Sequence, residues 1–159
     1  MKVIRPPQPI VKDFVSGKKI FLAGSIEMGN AEDWQSEVTN YLKLYEESLL
    51  QELTIINPRR VDWDSSWTQE ISNPQFYQQV NWELNALEKS DIIIMYFDPN
   101  TKSPISLLEL GLFAQSKKLI VCCPEGFWRK GNVDIVCDRY NIPNYDSLEK
   151  LLNYLTNIL

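Results

Sequence analysis

Residues 91–97, DIIIMYF, form the apolar run that most constrains how this chain can fold. A continuous run of this kind is typical of a strand buried on both faces, as in a parallel sheet. Further strand candidates lie at residues 19–23, 53–56 and 119–123, and segments with helical spacing of apolar residues separate them. Strands that alternate with helices predict parallel pairing through right-handed crossovers, and therefore a doubly wound α/β fold in three layers.

The helical segments are predicted from apolar residues that recur every three or four positions. We expect a first helix after Gly29 and Asn30, a second over residues 74–89, a third over residues 106–115, and a last one that begins with the capping-box sequence DSLE at 146–149. The apolar faces predicted for the first two helices are Trp34, Val38, Leu42, Tyr45 and Leu49, and Phe76, Val80, Leu84 and Leu87.

A single domain over residues 1–159 is predicted, with residues 1–17 as an extended N-terminal arm because of Pro6, Pro7 and Pro9. The net charge of −5 disfavours nucleic acid and anionic membranes as partners. The chain shows neither a secretory signal nor an apolar run that could span a bilayer, so we expect a cytoplasmic protein. The three cysteines are expected to be buried free thiols.

The chain contains no histidine. Ser-His and Cys-His nucleophilic chemistry and His-ligated metal catalysis are therefore excluded. Acid and base roles are left to carboxylates, tyrosine, lysine or cysteine.

Unusual polar and aromatic residues follow three of the predicted strands. They lie in GSIEMG at 24–29, in the long loop 57–67, and in residues 98–109. Ligands of doubly wound sheets bind beyond the carboxyl ends of the strands, near the point where the strand order reverses. We therefore expect these three loops to converge on one pocket.

Glu109 is the first candidate for catalysis. If Ser106 is the N-cap, Glu109 lies in the first helical turn, where free N–H groups and the helix dipole favour its ionised form. An ionised carboxylate in a partly apolar pocket could attack an electrophilic sugar carbon. The alternative is structural, because Ser106-x-x-Glu109 is also a capping box.

Other candidates also have both a functional and a structural interpretation. Glu83 is a second carboxyl group or a solvated helix charge, and Asp98 binds sugar hydroxyls or caps a turn. Trp63, Trp67 and Trp128 could stack on a nucleobase or simply pack. Gly24 and Ser25 follow a strand as in a phosphate or sugar loop, although the full glycine fingerprint is missing.

Taken together, these segments resemble the nucleoside 2-deoxyribosyltransferase family. The matching pieces are IFLAGS at 20–25, NWELNAL at 81–87, SDIII at 90–94 and, above all, LELGLFA at 108–114. The resemblance extends over about residues 19–140 and rests on the order and spacing of motifs that are weak singly.

The resemblance implies roles for individual residues. Glu109 stands at the nucleophilic glutamate of the Glu-x-Gly motif, and Glu83 stands where the family has an aspartate that assists at the sugar and base. Phe21 replaces a tyrosine that orients the nucleophile, a task that would then pass to another group such as Tyr96. Asn132 falls where the family presents an asparagine from a neighbouring subunit, which implies a homo-oligomer with shared active sites.

The activity implied is transfer of 2-deoxyribose from a 2'-deoxynucleoside to a free nucleobase by double displacement, without metal or organic cofactor. A related hydrolase of nucleoside 5'-monophosphates is the nearest alternative. It resembles this chain at Gly24, Ser25 and Ser103, but it has an arginine for the phosphate where this chain has Glu27. A catalytically silent nucleotide-binding module is the third possibility.

Overall fold

Among the residues that the structure describes, six strands form one sheet in which all neighbouring pairs are parallel. The structure is a computed structural model, and it describes residues 1–11, 14–26, 31–48, 51–60, 62, 64 and 66–159. The strands are β1 Lys2–Ile4, β2 Lys18–Gly24, β3 Leu53–Ile56, β4 Ile92–Tyr96, β5 Leu119–Cys122 and β6 Asn144–Tyr145, in the spatial order β1-β3-β2-β4-β5-β6.

Helices cover both faces of this sheet. They are α1 Trp34–Leu44, α2 Pro74–Lys89, α3 Pro104–Phe113, α4 Lys130–Tyr140 and α5 Leu148–Ile158, and a short 3-10 helix spans Glu46–Ser48. The predicted doubly wound α/β fold in three layers is confirmed. No helix within the described ranges is long and apolar enough to cross a bilayer.

Side chains of each strand alternate between two separate cores, because successive residues of a strand point to opposite faces. On one face Ile20, Leu22 and Ile94 pack with residues of α1 and α5. On the other face Phe21 and Met95 pack with residues of α2, α3 and α4. The uninterrupted apolar runs in the sequence follow from this burial on both sides.

The strand order reverses beside β2. The chain leaves β2 through α1 to reach β3 on one side, and then passes through α2 to reach β4 on the other side. The carboxyl ends of β2 and β4 therefore flank the crevice where ligands of such sheets bind.

Two strands and one helix were not predicted. β1 lies inside the predicted arm and pairs with β3, and β6 has only two residues. Three-residue or two-residue strands are too short to show a period. Helix α4 was missed because its only buried residues are Val133 and Cys137, which leaves little apolar periodicity.

Several predicted boundaries and faces are wrong in detail. The third helix begins at Pro104, two residues earlier than expected, and the last helix is capped by Ser147 instead of Asp146. Helix α1 ends at Leu44, so Tyr45 lies beyond it and is exposed, while Leu49 lies outside the described residues. The buried residues of α2 are Gln79, Trp82, Ala86 and Leu87, whereas Leu84 is exposed.

Candidate functional site

Helix α3 carries Glu109 in its second turn. Pro104 occupies the start of the helix, where its fixed φ suits the first turn and its missing N–H costs no hydrogen bond. Ser103 precedes it in a left-handed conformation with φ of 45°. The prediction that Ser106 caps the helix and places Glu109 in the first turn is therefore wrong, and Glu109 is not part of a capping box there.

Glu109 is buried, with 8% of its surface exposed. It lies on the same side of the sheet as Leu110 and Phe21, which belong to the α2–α3–α4 core. Burial, together with the like charge of Glu83 as the smaller cause, raises the pKa of Glu109 to about 8. The expectation that the helix N-terminus holds Glu109 ionised is thus wrong.

Glu83 on α2 is the neighbouring carboxyl group. It accepts a hydrogen bond from Gln79 Nε2 at 2.8 Å, and burial raises its pKa to about 7 in spite of that bond. Two carboxyl groups that interact in this way titrate as a pair, so near neutral pH the pair tends to hold one proton. Such a pair can present one carboxylate and one acid to the same substrate.

Gly24 ends β2 and brings the chain close to β4. Its φ is 125°, and a Cβ at this position would overlap the backbone of Tyr96. Glycine is required here for both reasons, because an L side chain rarely adopts this conformation and has no room. Ser25 follows, fully buried, with its N–H donated to Tyr96 O at 2.9 Å.

Three buried hydroxyl groups then join the end of β2 to the start of α3. Ser25 Oγ lies 2.5 Å from Ser103 Oγ and accepts a hydrogen bond from Thr101 Oγ1 at 2.9 Å. Thr101 Oγ1 and Ser103 Oγ are 2.8 Å apart. We call Ser25, Thr101 and Ser103 the hydroxyl cluster. It fixes the position from which α3 presents Glu109, and Thr101 was not singled out from the sequence because its loop shows no periodic signal.

Asp98 is buried beside this cluster, with 2% of its surface exposed. Its N–H donates to Ser25 Oγ at 2.8 Å, while its carboxylate accepts backbone N–H groups of Asn100 at 2.8 Å and Glu32 at 3.2 Å. Asp98 therefore caps its turn, as the structural interpretation predicts.

Tyr96 does not face Glu109. Its ring packs at 5.4 Å from that of Trp34, in the core shared with α1, whereas Phe21 lies in the opposite core, 6.4 Å from Trp82. The suggestion that Tyr96 replaces the orienting tyrosine is wrong, because Tyr96 and Glu109 lie on different faces of the sheet. Phe21 contributes only apolar contact.

Two of the aromatic candidates, Trp128 and Trp67, have cationic neighbours. Trp128 is 45% exposed, and its ring lies 4.6 Å from Lys102 Nζ and 4.3 Å from Arg129 Cζ. Trp67 lies 5.0 Å from Arg60 Cζ. Trp63 and Glu27 lie outside the described residues, so the structure adds nothing to their predicted roles.

The remaining candidates lie on the surface or away from the carboxyl pair. Asn132 is exposed in the first turn of α4. Cavity space of about 270 Å³ is lined by Lys130, Asn144, Tyr145, Asp146 and Lys150, none of which was predicted as a site residue. The described residues contain no group of three or more Cys, Asp or Glu side chains placed to hold a metal ion.

Fold and site together define a parallel α/β protein with a pair of interacting carboxyl groups on two helices next to the strand-order reversal. A family model described as nucleoside 2-deoxyribosyltransferase like matches residues 17–127, and the chain belongs to that family. The family consists of enzymes of the glycosyl transferase or hydrolase type that act on nucleosides. No curated protein sequence matches the chain significantly.

Solved structures support the fold. A conserved protein from Enterococcus faecalis is similar with a TM-score of 0.64 at 11% sequence identity, and the similarity covers 89% of this chain and 99% of that one. At this level of identity the similarity concerns the fold alone.

Proposed function

We propose that this protein transfers 2-deoxyribose between nucleobases and that Glu109 is the nucleophile. The observation that carries the proposal is the pair Glu109 and Glu83, in which a buried and a half-buried carboxyl group on consecutive helices interact. Family membership gives the substrate class, a nucleoside and a free nucleobase.

The pair can perform both halves of a double displacement. A carboxylate oxygen of Glu109 attacks C1', the bond from C1' to the base nitrogen breaks, and the departing base takes its electron pair and a proton from Glu83. The resulting ester is then attacked at C1' by the nitrogen of a second base, which restores the Glu109 carboxylate and returns a proton to Glu83. Positive charge that develops on the sugar favours the ionised form of Glu109 during the first step.

We assign substrate-binding roles to Gly24, Ser25, Ser103 and Trp63, as expected from the sequence, and assign Asp98, the other predicted binding residue, to its turn. Ser25, Ser103 and Asp98 bond to one another's loops, so substrate binding would add to or exchange these hydrogen bonds. We place the protein in the cytoplasm and expect neither a metal nor an organic cofactor in the reaction.

We further propose a homo-oligomer that shares active sites through Asn132. Three large apolar side chains on α3 support it, because Ile105, Leu108 and Leu112 are 60%, 59% and 60% exposed. A second copy of the chain that covered this face would bury them. Sedimentation of the wild type and of Leu108→Asp tests this, since the charge should dissociate the assembly.

Trapping of the covalent sugar tests the nucleophile. Incubation with a 2'-deoxynucleoside and no acceptor base should add the mass of one deoxyribosyl group to the wild type and to Glu88→Ala, whose side chain is exposed on α2. Glu109→Ala should show no adduct. An adduct that persists in Glu109→Ala overturns the assignment, and a wild type that neither transfers nor cleaves any common deoxynucleoside favours the silent binding module.

A specific observation favours a second candidate, the hydrolysis of nucleoside 5'-monophosphates. Lys102 and Arg129 place two cations against Trp128, and Lys102 directly precedes Ser103 of the hydroxyl cluster. Cations of this kind could bind a phosphate. Product formation from a deoxynucleoside and from its 5'-monophosphate, each with and without an acceptor base, separates the two activities.

A further inference from the structure

Gln79 is a buried polar residue next to the carboxyl pair. It lies on α2 one turn before Glu83, and only 4% of its surface is exposed. Its Nε2 donates to Glu83 Oε1 at 2.8 Å and to the backbone carbonyl of Pro58 at 3.3 Å. The helix face around it is otherwise formed by Trp82, Ala86 and Leu87, so a polar side chain here is not explained by packing.

The two bonds fix which end of the Gln79 amide is nitrogen. Pro58 O can only accept a hydrogen bond, whatever the protonation state of Glu83, so a reversed amide would oppose oxygen to oxygen there. The oxygen Oε1 must therefore point elsewhere, and there it is buried without a hydrogen-bond partner. A buried carbonyl oxygen without a partner is unfavourable, and it calls for a donor that arrives from outside the folded chain.

Other unpartnered groups lie around the same segment. Within the described part of the chain, four of the five side chains with a buried, unpartnered polar atom belong to residues 57–60 or bond to them; the five are Gln35, Asn57, Arg60, Gln79 and Asn144. Gln35 bonds to Arg59, and Gln79 bonds to Pro58. Unfulfilled hydrogen bonds thus concentrate at the carboxyl end of β3, beside the crevice.

We infer that Gln79 is a substrate-binding residue, whose Oε1 accepts a hydrogen bond from a donor group of the nucleoside while its Nε2 holds Glu83. The inference rests on the proposed function, because it takes the substrate to be a nucleoside. The donor is a sugar O–H or a base N–H, which share the chemistry that Oε1 requires. Gln79 then fixes the position of the substrate relative to the acid Glu83.

The test compares Gln79→Met with Gln78→Met. Methionine has nearly the length of glutamine but no acceptor, and Gln78 is exposed on the same helix. We expect Gln79→Met to lower kcat/KM about 10-fold or more, as for loss of a buried hydrogen bond to substrate, and Gln78→Met to leave it unchanged. Gln79→Met also leaves the Pro58 carbonyl without its Gln79 donor, so thermal unfolding without ligand should occur at a somewhat lower temperature than in the wild type. The further stabilisation that a nucleoside gives, measured against the same variant without ligand, should shrink.

Donor analogues identify the group and separate binding from mere support of Glu83. Deoxynucleosides that lack the 3'-hydroxyl, lack the 5'-hydroxyl or carry an N-methylated base are compared in wild type and Gln79→Met. With the analogue that lacks the group bound by Gln79 Oε1, the wild-type rate should fall, whereas the rate of Gln79→Met should be the same as with the full donor. Equal losses in both proteins for every analogue overturn the inference.

The failure of this inference differs from the failure of the proposed function. If the wild type has no activity on any nucleoside, both proposals are wrong. If the wild type is active and Gln79→Met has the same kcat/KM and the same stabilisation by a nucleoside, only the role of Gln79 is wrong. If Gln79→Met does not fold, Gln79→Leu provides a second apolar replacement for the same measurements.

Discussion

Asp98 and Glu109 are two buried carboxyl groups near the same edge of the sheet, and they differ in what surrounds them. Asp98 is 2% exposed and accepts hydrogen bonds from two backbone N–H groups. Glu109 is 8% exposed, and no hydrogen bond to its carboxyl group occurs within the described residues. Burial alone therefore does not distinguish a structural carboxylate from a reactive one.

The difference lies in how each charge is compensated. Backbone N–H groups donate to the carboxyl oxygens of Asp98 and tie it to its turn. Glu109 has apolar neighbours and the like charge of Glu83, so its ionised form is costly until a positive charge develops nearby. An oxocarbenium-like sugar supplies such a charge.

Glu109→Gln is expected to have the largest effect. The amide keeps the shape of the side chain but cannot attack C1', so kcat should fall roughly 10³-fold or more. Steady-state transfer from a deoxynucleoside to a free base measures it. The variant should unfold at the same or a higher temperature than the wild type near pH 8, because a buried charge has been removed.

Glu88→Gln is the control for this substitution, since Glu88 is exposed on α2. Wild-type activity is expected for it. Retention of more than about a tenth of the transfer rate in Glu109→Gln would contradict the nucleophile assignment.

The pair should also make folding depend on pH. The pKa values of Glu83 and Glu109, about 7 and about 8, exceed the ordinary value of 4.5, so the unfolded chain loses these protons first. The free energy of unfolding should fall as pH rises from about 4.5 to about 8, in total by on the order of a few kcal/mol, and then level off. The free energy of unfolding in urea is measured against pH for the wild type and for the double variant Glu83→Gln/Glu109→Gln. The difference between the two isolates this contribution. A difference that is flat over the window would show that the pair is not buried as described.

Long apolar runs made most of the fold predictable from the sequence. Residues 91–97 are typical of a strand covered on both faces, and the helices between such runs imply parallel crossovers. β6 and α4 could not be predicted in this way, since two residues show no period and α4 buries only Val133 and Cys137.

The candidate site was predictable only where chemistry and family resemblance coincided. Glu83 and Glu109 were chosen from their motifs, but the packing that raises their pKa values depends on how α2 lies against α3, which no local pattern encodes. Gln79 gave one signal that was not used, a polar residue one turn before Glu83 on the face that also carries Trp82. Tyr96 lies on the face opposite Glu109 because side chains alternate along β4, which puts Tyr96 on the same side as Ile92 and Ile94.

Glu83→Gln should have the next largest effect on catalysis. It removes the acid that protonates the departing base, so kcat should fall roughly 10²-fold for ordinary donors. It also removes the charge that raises the pKa of Glu109, so the acidic limb of the pH–rate profile should move to lower pH, and any decline as pH rises through about 7 should disappear. An N7-methylated purine leaves without protonation, so kcat with a donor that carries this base should fall little in Glu83→Gln. An equal loss for both donors would show that Glu83 does not act on the base.

Asp98→Asn should have the smallest effect on catalysis and act mainly on stability. The remaining oxygen can accept only one of the two backbone N–H groups, that of Asn100 or that of Glu32. The new NH₂ group would face the other N–H, which would lose its partner. The free energy of unfolding should therefore fall by about 1–3 kcal/mol. KM and kcat, measured where the variant is folded, should stay close to the wild-type values if Asp98 serves its turn alone. A rise in KM with unchanged stability would instead place Asp98 on the sugar, and the contrast with Glu109 would then be between two substrate-binding carboxylates.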